Sequence, residues 1–367
     1  MRRQQLSGHW CAKSLSWFRI KDAPGNCRAT RNKARVNIPD QIQPQDRLAA
    51  LLAPEIAQVN TLVRERMASE YAPRIPEVTA HLVEAGGKRL RPMLTLATAR
   101  LCGYDGPYHI HLAATVEFIH TATLLHDDVV DESRQRRGRP TANLLWGNRS
   151  SVLVGDYLFS RSFQLMVETG SMRVLGILAK TSATIAEGEV LQLSAAGNLA
   201  TNENIYMHII RSKTAALFSA AAEVGGVIAG ADKAITKALF DYGNALGIAF
   251  QIVDDLLDYG GVSAALGKNI GDDFRDQKLT LPVIKAVARA DTQERTFWAR
   301  VMGSGQQHEG DLDQALSLMA RHNTLEETHQ AARSWAAKSR EALETVPDSD
   351  LKKLLSDLSD FAVSRIG

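Results

Sequence analysis

The chain has 367 residues, of which 45% are apolar and 23% charged, and this composition is typical of a folded globular protein and excludes a mostly disordered chain. Three cysteines are too few for a disulfide framework, which disfavours an exported protein. No run of about 18 apolar residues is free of charge, which disfavours a membrane-spanning helix. Aromatic residues make up 6% and are not interleaved with a basic stretch, which disfavours nucleic-acid binding.

The first 40 residues differ in charge from the rest of the chain. They contain nine Lys or Arg and two Asp, a net charge of +7, which leaves −5 for the remainder because the whole chain carries +2. Such a leader could be a mitochondrial targeting segment, a basic arm that contacts anionic lipid or nucleic acid, or upstream sequence outside the folded protein. We favour the last, because VNIPD at 36–40 has the form of a start followed by an ordinary N-terminus. The predicted domains are a basic leader at 1–40 and one folded domain at 41–367.

Helical periodicity begins near Asp46 and continues to the C-terminus. Apolar residues recur with a period near 3.6, the breaks fall at glycine and proline, and no alternating run is bounded by hairpin turns. The sequence therefore predicts an all-α domain of ten or more helices in one large bundle. The predicted helical segments are 46–62, 75–84, 93–102, 110–126, 151–167, 172–186, 204–229, 233–259, 281–290, 311–319, 325–343 and 349–365.

The same acidic pattern occurs at or near the C-terminal end of two of these segments. The box Asp-Asp-apolar-apolar-Asp occupies 127–131 and again 254–258, and its first and last acids share one helix face because they are four residues apart. Carboxylates are suitable ligands for Mg²⁺, which usually bridges to a substrate phosphate. One box alone would be as well explained by a solvated helix end. Two matching boxes flanked by Leu, Ile and Val favour a shared metal site.

Basic residues cluster at two places that complement these boxes. GGKRLRP at 86–92 places three cations just before a helix, and four arginines at 134–139 follow the first box. Guanidinium and ammonium groups bind phosphate oxygens well. Each cluster alone could be a solvated basic turn, but together with the acidic boxes they favour a diphosphate site.

These motifs are similar to those of a known family. The sequence resembles the trans-prenyl diphosphate synthases, and among them the long-chain polyprenyl diphosphate synthases such as octaprenyl, solanesyl and decaprenyl diphosphate synthases. The resemblance runs from about residue 45 to the C-terminus and rests on GGKRLRP at 86–92, HDDVVDESRQRRGRP at 126–140, RSKTAALF at 211–218, FQIVDDLLDY at 250–259 and GKNIGDDFRDQKLTLP at 267–282. It implies a helical bundle around a deep cavity, usually as a homodimer. It also implies 1′-4 head-to-tail condensation of isopentenyl diphosphate onto an allylic diphosphate, with about three Mg²⁺ ions once diphosphate is bound.

Site residues follow from the resemblance, position by position. The implied metal ligands are Asp127, Asp131, Asp254 and Asp258, and the implied catalytic set adds Asp128, Asp255 and Lys213. The allylic diphosphate would be bound by Arg136, Lys213, Thr214, Gln251 and Lys268, and isopentenyl diphosphate by Lys88, Arg91, His120 and Arg137. Without the resemblance, His120 would be interpreted as a core histidine.

Product length depends on the helix that precedes the first box. In relatives with short products, bulky aromatic residues lie one turn before the box, whereas Ala122 and Thr123 here are small. The predicted product is therefore long, about eight to ten isoprene units (about C40–C50), since one helical turn matches roughly one unit. A decaprenyl chain for a quinone is favoured. The predicted deeper stops are Phe118 and, on a neighbouring helix, Phe163 or Met166.

Three other functions fit parts of the pattern. A terpene cyclase would share the first box, but its second metal motif usually has Asn or Asp, Ser or Thr, and Glu at wider spacing. A metal-dependent phosphohydrolase would need more histidines near His126. A non-catalytic partner of a heteromeric synthase would typically have lost acids from the boxes. The expected partners are isoprenyl diphosphates and a second copy of the chain, in the bacterial cytoplasm, or in mitochondria if residues 1–35 are a transit segment.

Overall fold

The computed structural model describes residues 43–84, 86–260 and 270–365. Within these ranges the chain is almost entirely helical, and one short antiparallel hairpin is the sole sheet, which confirms the all-α prediction. The first nine helices are α1 (Pro44–Leu51), α2 (Ala53–Met67), α3 (Arg74–Glu84), α4 (Leu90–Leu101), α5 (Tyr108–Val130), α6 (Ala142–Trp146), α7 (Asn148–Glu168), α8 (Met172–Ala195) and α9 (Glu203–Ile210). The others are α10 (Ala216–Ile228), α11 (Lys233–Tyr259), α12 (Asp272–Arg275), α13 (Leu281–Arg289), α14 (Thr292–Trp298), α15 (Asp311–Arg321), α16 (Thr324–Ala342) and α17 (Asp350–Ser364). The hairpin pairs β1 (Gln135–Arg136) with β2 (Arg139–Pro140), and π-helical turns occupy Arg211–Ala215 and Ala299–Gly303.

Helices α4, α5, α10 and α11 form the centre of the bundle. Helix α4 is buried without a break from Pro92 to Ala99 and α5 from Leu112 to Ile119, so neighbours cover these stretches on every side. Helix α7 packs against α5, while α16 and α17 pack against α11. The two helices that end in acidic boxes are therefore held inside the bundle.

A second group of buried side chains surrounds the C-terminal half of α11. Ile252 and Val253 lie there with Leu281 of α13, Trp298 of α14 and Met319 of α15, all of them fully buried. Burial of this much apolar surface is the main favourable term in folding. The packing fixes the end of α11, which carries the box at 254–258.

Helices α4 and α10 approach each other closely at Gly225. A Cβ atom at this position would lie 2.1 Å from Thr98 Oγ1 and 2.6 Å from the carbonyl oxygen of Thr95. The hydroxyl of Thr95 in turn donates a hydrogen bond to the Ala221 carbonyl of α10 at 2.9 Å. This crossing therefore requires a residue without a side chain.

We expect Gly225→Ala to lower the free energy of unfolding by about 1–3 kcal/mol, because the added methyl forces two packed helices apart. Gly176 on the exposed face of α8 is the matched control, since a Cβ atom added there would have no neighbour within 4 Å. There the same change should stabilise by up to about 1 kcal/mol, the helix-propensity gain of alanine. Chemical denaturation measures both. Equal stability of Gly225→Ala and the wild type would contradict the tight crossing.

Most predicted helical segments coincide with observed helices, and α11 matches the predicted 233–259 at both ends. The predicted helix at 46–62 is instead two helices, α1 and α2, because Pro54 has no N–H for the carbonyl one turn earlier. The predicted helix at 204–229 is interrupted by the π turn Arg211–Ala215. Helices α6, α12 and α14 were not predicted.

No helix in the three described ranges is long and apolar enough to cross a membrane. The leader at 1–40 and Lys268 lie outside these ranges. The predictions for them stay predictions.

Candidate active site

The first acidic box lies where α5 ends. Asp127 is in the last turn, and Asp131 caps the helix with its N–H 2.8 Å from the Asp127 carbonyl. The Lys213 Nζ lies 3.8 Å from Asp127 Oδ2, and the Lys278 Nζ lies 3.7 Å from Asp131 Oδ2. Burial raises the pKa of Asp127, and the Lys213 ammonium only partly offsets this. Carboxylates at a helix C-terminus are also disfavoured by the helix dipole, so this box needs cations.

Asp128 faces a different neighbour. Its side chain is buried, and Oδ1 accepts hydrogen bonds from Arg136 Nε at 2.9 Å and Nη2 at 2.7 Å. Arg136 is placed by the hairpin, whose two turn residues, Arg137 and Gly138, both have positive φ, as a type I′ turn requires. The other oxygen, Asp128 Oδ2, is buried without a hydrogen-bond partner. The middle acid of the box therefore anchors the basic hairpin to α5.

The second box lies in the last two turns of α11 and is tied into a polar network. Asp255 is buried and accepts hydrogen bonds from Tyr206 Oη at 2.7 Å and Gln251 Nε2 at 2.8 Å. Thr214 Oγ1 donates to Gln251 Oε1 at 2.8 Å. Burial raises the pKa of Asp255 to about 7. Thr214 and Gln251, both predicted to bind the allylic diphosphate, are thus in direct contact.

The remaining acids of this box contact the segments that follow α11. Asp258 accepts the backbone N–H groups of Asp272 at 3.2 Å and Asp273 at 3.0 Å, at the start of α12. Asp254 lies 3.9 Å from Arg365 Nη2. Burial, together with Asp255 and Asp258, raises the pKa of Asp273 well above its usual range. Asp273 was not among the predicted site residues, although it belongs to the GKNIGDDFRDQKLTLP motif.

Lys278 connects the end of α5 to the start of α12. Its Nζ lies 3.7 Å from Asp131 Oδ2, at the end of α5, and 3.9 Å from Asp273 Oδ1 of α12. Although burial opposes it, the carboxylates of Asp273, Asp131 and Asp276 raise the pKa of Lys278. Lys278 therefore links the first acidic box to Asp273, whose backbone N–H donates a hydrogen bond to Asp258 of the second box.

The oxygen donors of the two acidic boxes fit a hard divalent cation. No three His, Cys, Asp or Glu side chains of the described ranges converge closely enough to hold a metal ion by themselves. Mg²⁺ usually takes only one or two carboxylates and completes its shell with water and substrate phosphates. The raised pKa values of Asp127 and Asp273 reflect crowded, partly buried carboxylates, which a cation would relieve.

A basic cluster lies about two helical turns before the first acidic box on α5. Arg91 Nη1 lies 3.3 Å from His120 Nε2, and the Arg91 guanidinium stacks over the Phe218 ring at 4.4 Å. Burial and the nearby arginines hold the pKa of His120 well below its usual value, so its ring is neutral and Nε2 accepts. Burial lowers the pKa of Arg91 to about 10. Its Nε is buried without a partner, which leaves one donor available to an anion.

A buried carboxylate balances these cations. Arg89 donates a hydrogen bond to Glu117, which lies on α5 one turn before His120. Burial raises the pKa of Glu117, while Arg89, Arg91 and Arg137 lower it. A narrow cavity between α3, α5 and the hairpin is lined by Arg89, Glu117, His120 and Arg137, and Lys88 is exposed nearby in sequence. Three of the predicted extender ligands, Arg91, His120 and Arg137, are therefore brought together, with a counterion that the sequence analysis did not identify.

Lys213 is paired with a residue that was also not predicted. Its Nζ donates to Glu189 Oε2 of α8 at 2.7 Å. Burial and the nearby Asp127 raise the pKa of Glu189 to about 7. A partner 24 positions away in sequence leaves no periodic signal, so this pair is visible only in the fold.

The predicted chain-length residues lie along α5 and α7. Ala122 is 1% exposed and Phe118 and Met166 are fully buried, all in the main core. The Thr123 hydroxyl donates to the His120 carbonyl at 2.8 Å, so it adds no free polar group. Phe163 is partly buried against Phe159, with ring centroids 5.3 Å apart, beside a shallow surface groove.

Comparisons with known proteins identify the relatives of this chain. Residues 72–319 match the family model described as Polyprenyl synthetase. The chain is 42% identical over 320 residues to octaprenyl diphosphate synthase of Escherichia coli, covering 87% of this chain and 98% of the relative. A crystal structure of a decaprenyl diphosphate synthase from Rhodobacter capsulatus is 70% identical, with a TM-score of 0.86 over 88% of this chain and all of that chain. A polyprenyl synthase from Caulobacter crescentus, solved with calcium and isoprenyl diphosphate, is 52% identical, with a TM-score of 0.84 over 88% of this chain and 98% of that chain.

Proposed function

This chain belongs to the polyprenyl synthetase family, and we propose that its product is an all-trans polyprenyl diphosphate of about eight to ten isoprene units, with decaprenyl favoured. It is a trans-prenyltransferase that elongates isoprenyl chains. One observation carries the proposal for this chain's own site. A single helix, α5, carries Asp131, which Lys278 links to Asp273 beside the second acidic box, and also His120, which contacts Arg91.

We propose that the two acidic boxes hold Mg²⁺ together with the allylic diphosphate. Asp127 and Asp131 would contribute from α5, and Asp254 and Asp258 from α11, with Asp273 beside them. Asp258 accepts two backbone N–H groups from the start of α12, which hold its carboxylate in place. The ions supply positive charge that favours departure of the diphosphate.

The basic residues divide between the two substrates. For the allylic diphosphate we propose Arg136, Lys213, Thr214, Gln251 and Lys268, and for isopentenyl diphosphate Lys88, Arg91, His120 and Arg137. The close packing of Arg91 against His120 and Phe218 supports the second set, because a pre-positioned guanidinium loses little freedom on binding.

The reaction follows from these positions. Lys213 and Arg136 stabilise negative charge on the leaving diphosphate, so the allylic C–O bond breaks and leaves an allylic cation. The double bond of isopentenyl diphosphate, held by the Arg91 cluster, donates its electron pair to that cation and forms the new C–C bond. A proton then leaves the adduct, and we propose the released diphosphate as its acceptor. The buried helices around the site exclude water, which would otherwise capture the cation as an alcohol.

The long product is supported by the side chains before the first box. Ala122 and Thr123 are small, and no aromatic ring of α5 occupies those two positions. The similarity to a decaprenyl diphosphate synthase supports the upper end of the range. We propose that such a chain serves as the side chain of a quinone.

We propose a homodimer, on the basis of exposed apolar side chains. Most of the large apolar residues that the described ranges expose belong to α6, α7 and α8: Leu144, Leu145, Val152, Leu153, Val167, Met172, Val190 and Leu193. Helix α7 packs against both α6 and α8, and monomers rarely expose large contiguous apolar patches. Sedimentation should give about twice the chain mass of 40.1 kDa. A monomer at micromolar concentration would contradict this.

The deciding experiment incubates the purified full chain with farnesyl diphosphate, isopentenyl diphosphate and Mg²⁺. We expect a ladder of all-trans polyprenyl diphosphates that ends at about eight to ten units, measured by mass spectrometry. A cyclic hydrocarbon would indicate a terpene cyclase instead, and phosphate release without elongation a phosphohydrolase. No turnover by the chain alone would favour the non-catalytic partner.

A further inference from the structure

Glu189 is a carboxylate beside the active site that the proposed reaction does not use. Its Oε2 accepts the hydrogen bond of Lys213 Nζ at 2.7 Å, whereas Asp127 Oδ2 lies farther from the same nitrogen, at 3.8 Å. Its second oxygen, Oε1, is buried and has no hydrogen-bond partner. The single ammonium is therefore shared unequally between two acids, and the one outside both acidic boxes holds it more closely.

Two features of the backbone bring Glu189 and Lys213 together. Lys213 lies in the π turn Arg211–Ala215, where one extra residue rotates the side chains relative to a continuous α-helix, and such turns recur at functional sites. Helix α8 contacts that turn at Gly188, where a Cβ atom would lie 2.6 Å from Ser212 Cβ and 3.0 Å from Lys213 N. Glu189 is the next residue. The contact of glycine with the π turn thus fixes Glu189 beside Lys213.

The pair is not explained by stability alone. Burial and the nearby Asp127 disfavour the ionised Glu189, and their effect exceeds the compensation from Lys213. A buried ion pair is weak evidence of stabilisation, since the loss of hydration offsets the attraction between the charges. A like-charged acid kept close to Asp127 at such a cost indicates a role in function.

We infer that Glu189 is a positioning residue for the allylic diphosphate: it holds the Lys213 ammonium away from Asp127 and toward the substrate. The inference rests on the proposed function of this site. Without the Glu189 charge, Lys213 would close the remaining gap to Asp127 and form a direct ion pair. That pair would remove one cation from the diphosphate and occupy one carboxylate oxygen that the metal needs. The extender cluster around His120, about 10.5 Å along α5 from Asp127, would be unaffected.

The test compares Glu189→Gln with Glu187→Gln in the full chain. Glu187 lies on the same helix, is exposed and carries the same charge, so it controls for the loss of a negative charge on α8. For Glu189→Gln we expect the KM for farnesyl diphosphate to rise about tenfold and kcat to fall about tenfold. The KM for isopentenyl diphosphate should change less than about twofold. Glu187→Gln should behave as the wild type.

Two further measurements separate positioning from a structural role. Removing a crowded carboxylate should leave the Tm unchanged or higher, whereas loss of a structural ion pair would lower it. Calorimetric titration of inorganic pyrophosphate in the presence of Mg²⁺ should show about tenfold weaker binding by Glu189→Gln. In a Lys213→Met background, Glu189→Gln should add no further loss, because the acid acts through the lysine.

The outcomes distinguish this inference from the proposed function. If the wild type elongates farnesyl diphosphate but Glu189→Gln keeps its KM and pyrophosphate affinity, only the inference fails. A lower Tm together with raised KM values for both substrates would also overturn it, in favour of a structural role. If the wild type elongates nothing, the proposed function fails, and pyrophosphate titration still tests the coupling of Glu189 and Lys213 to an anion.

Discussion

Replacing Asp127 by Asn should lower turnover by about two orders of magnitude or more, the scale of losing a preorganised charge stabiliser at a reacting centre. Asp127 is the acid of α5 nearest Lys213, and the substitution removes its charge with little change in shape. Because burial raises the pKa of Asp127, its ionised form disfavours folding above that pKa. The Asn variant should therefore melt no lower than the wild type at pH 8. Steady-state rates and a thermal melt provide both measurements.

Asp254→Asn, in the second acidic box, should lower turnover by a similar factor. Asp241→Asn is the matched control, since Asp241 is on the same helix α11, its side chain is 43% exposed, and its ion pair within the described ranges is with the surface residue Lys237. Its rate should stay within about twofold of the wild type, because exposed pairs contribute little. Near-normal turnover of Asp127→Asn or Asp254→Asn at saturating Mg²⁺ would refute the metal assignment.

Ala122→Phe should shorten the product to about three or four isoprene units, while the first condensations proceed at a near-normal rate. Ala122 is five residues before Asp127, so it lies about 7.5 Å along the axis and about 140° around the helix from it. A phenyl ring would fill the elongation path beyond a short primer, and packed interiors yield little to overfilling. The ionising end of the substrate lies elsewhere, so short primers should still react. Chromatography of the product ladder measures the shift.

Ala122→Leu is the graded companion of this variant. A smaller side chain should give an intermediate length, and its fold should tolerate the change better, since Ala122 is fully buried. If Ala122→Phe still yields products of eight or more units, Ala122 does not border the elongation path. An inactive Ala122→Phe beside an active Ala122→Leu would indicate that the larger ring disturbs the helix.

Sequence periodicity predicted the helices that matter most for the site. The long apolar runs before 127–131 and 254–258 required buried helices, and α5 and α11 do end at those boxes. Periodicity could not reveal the π turn at Arg211–Ala215, because the following helix α10 is buried on nearly all sides and has no narrow apolar stripe whose rotation could be detected. The short helices α6, α12 and α14 are below the length at which a period can be recognised.

Several unpredicted contacts join residues far apart in sequence. Arg89 meets Glu117 across 28 positions, and Tyr206 meets Asp255 across 49. Such pairs depend on how helices cross, which packing of whole faces decides. The sequence therefore predicted the charged residues of the site more readily than the counterions that hold them in place.

Helix α5 also makes the catalyst suited to repeating one step on a growing substrate. His120 and Asp127 are seven residues apart on one rigid rod, about 10.5 Å along its axis. On the proposed assignment, α5 fixes the distance between the isopentenyl diphosphate site at His120 and the allylic diphosphate site at Asp127. This distance does not depend on the length of the isoprenoid tail. Each round then begins from the same starting arrangement, so the rate constants of successive additions should be alike. The spread of product sizes would then be governed by when the chain is released, and not by a gradual slowing of bond formation.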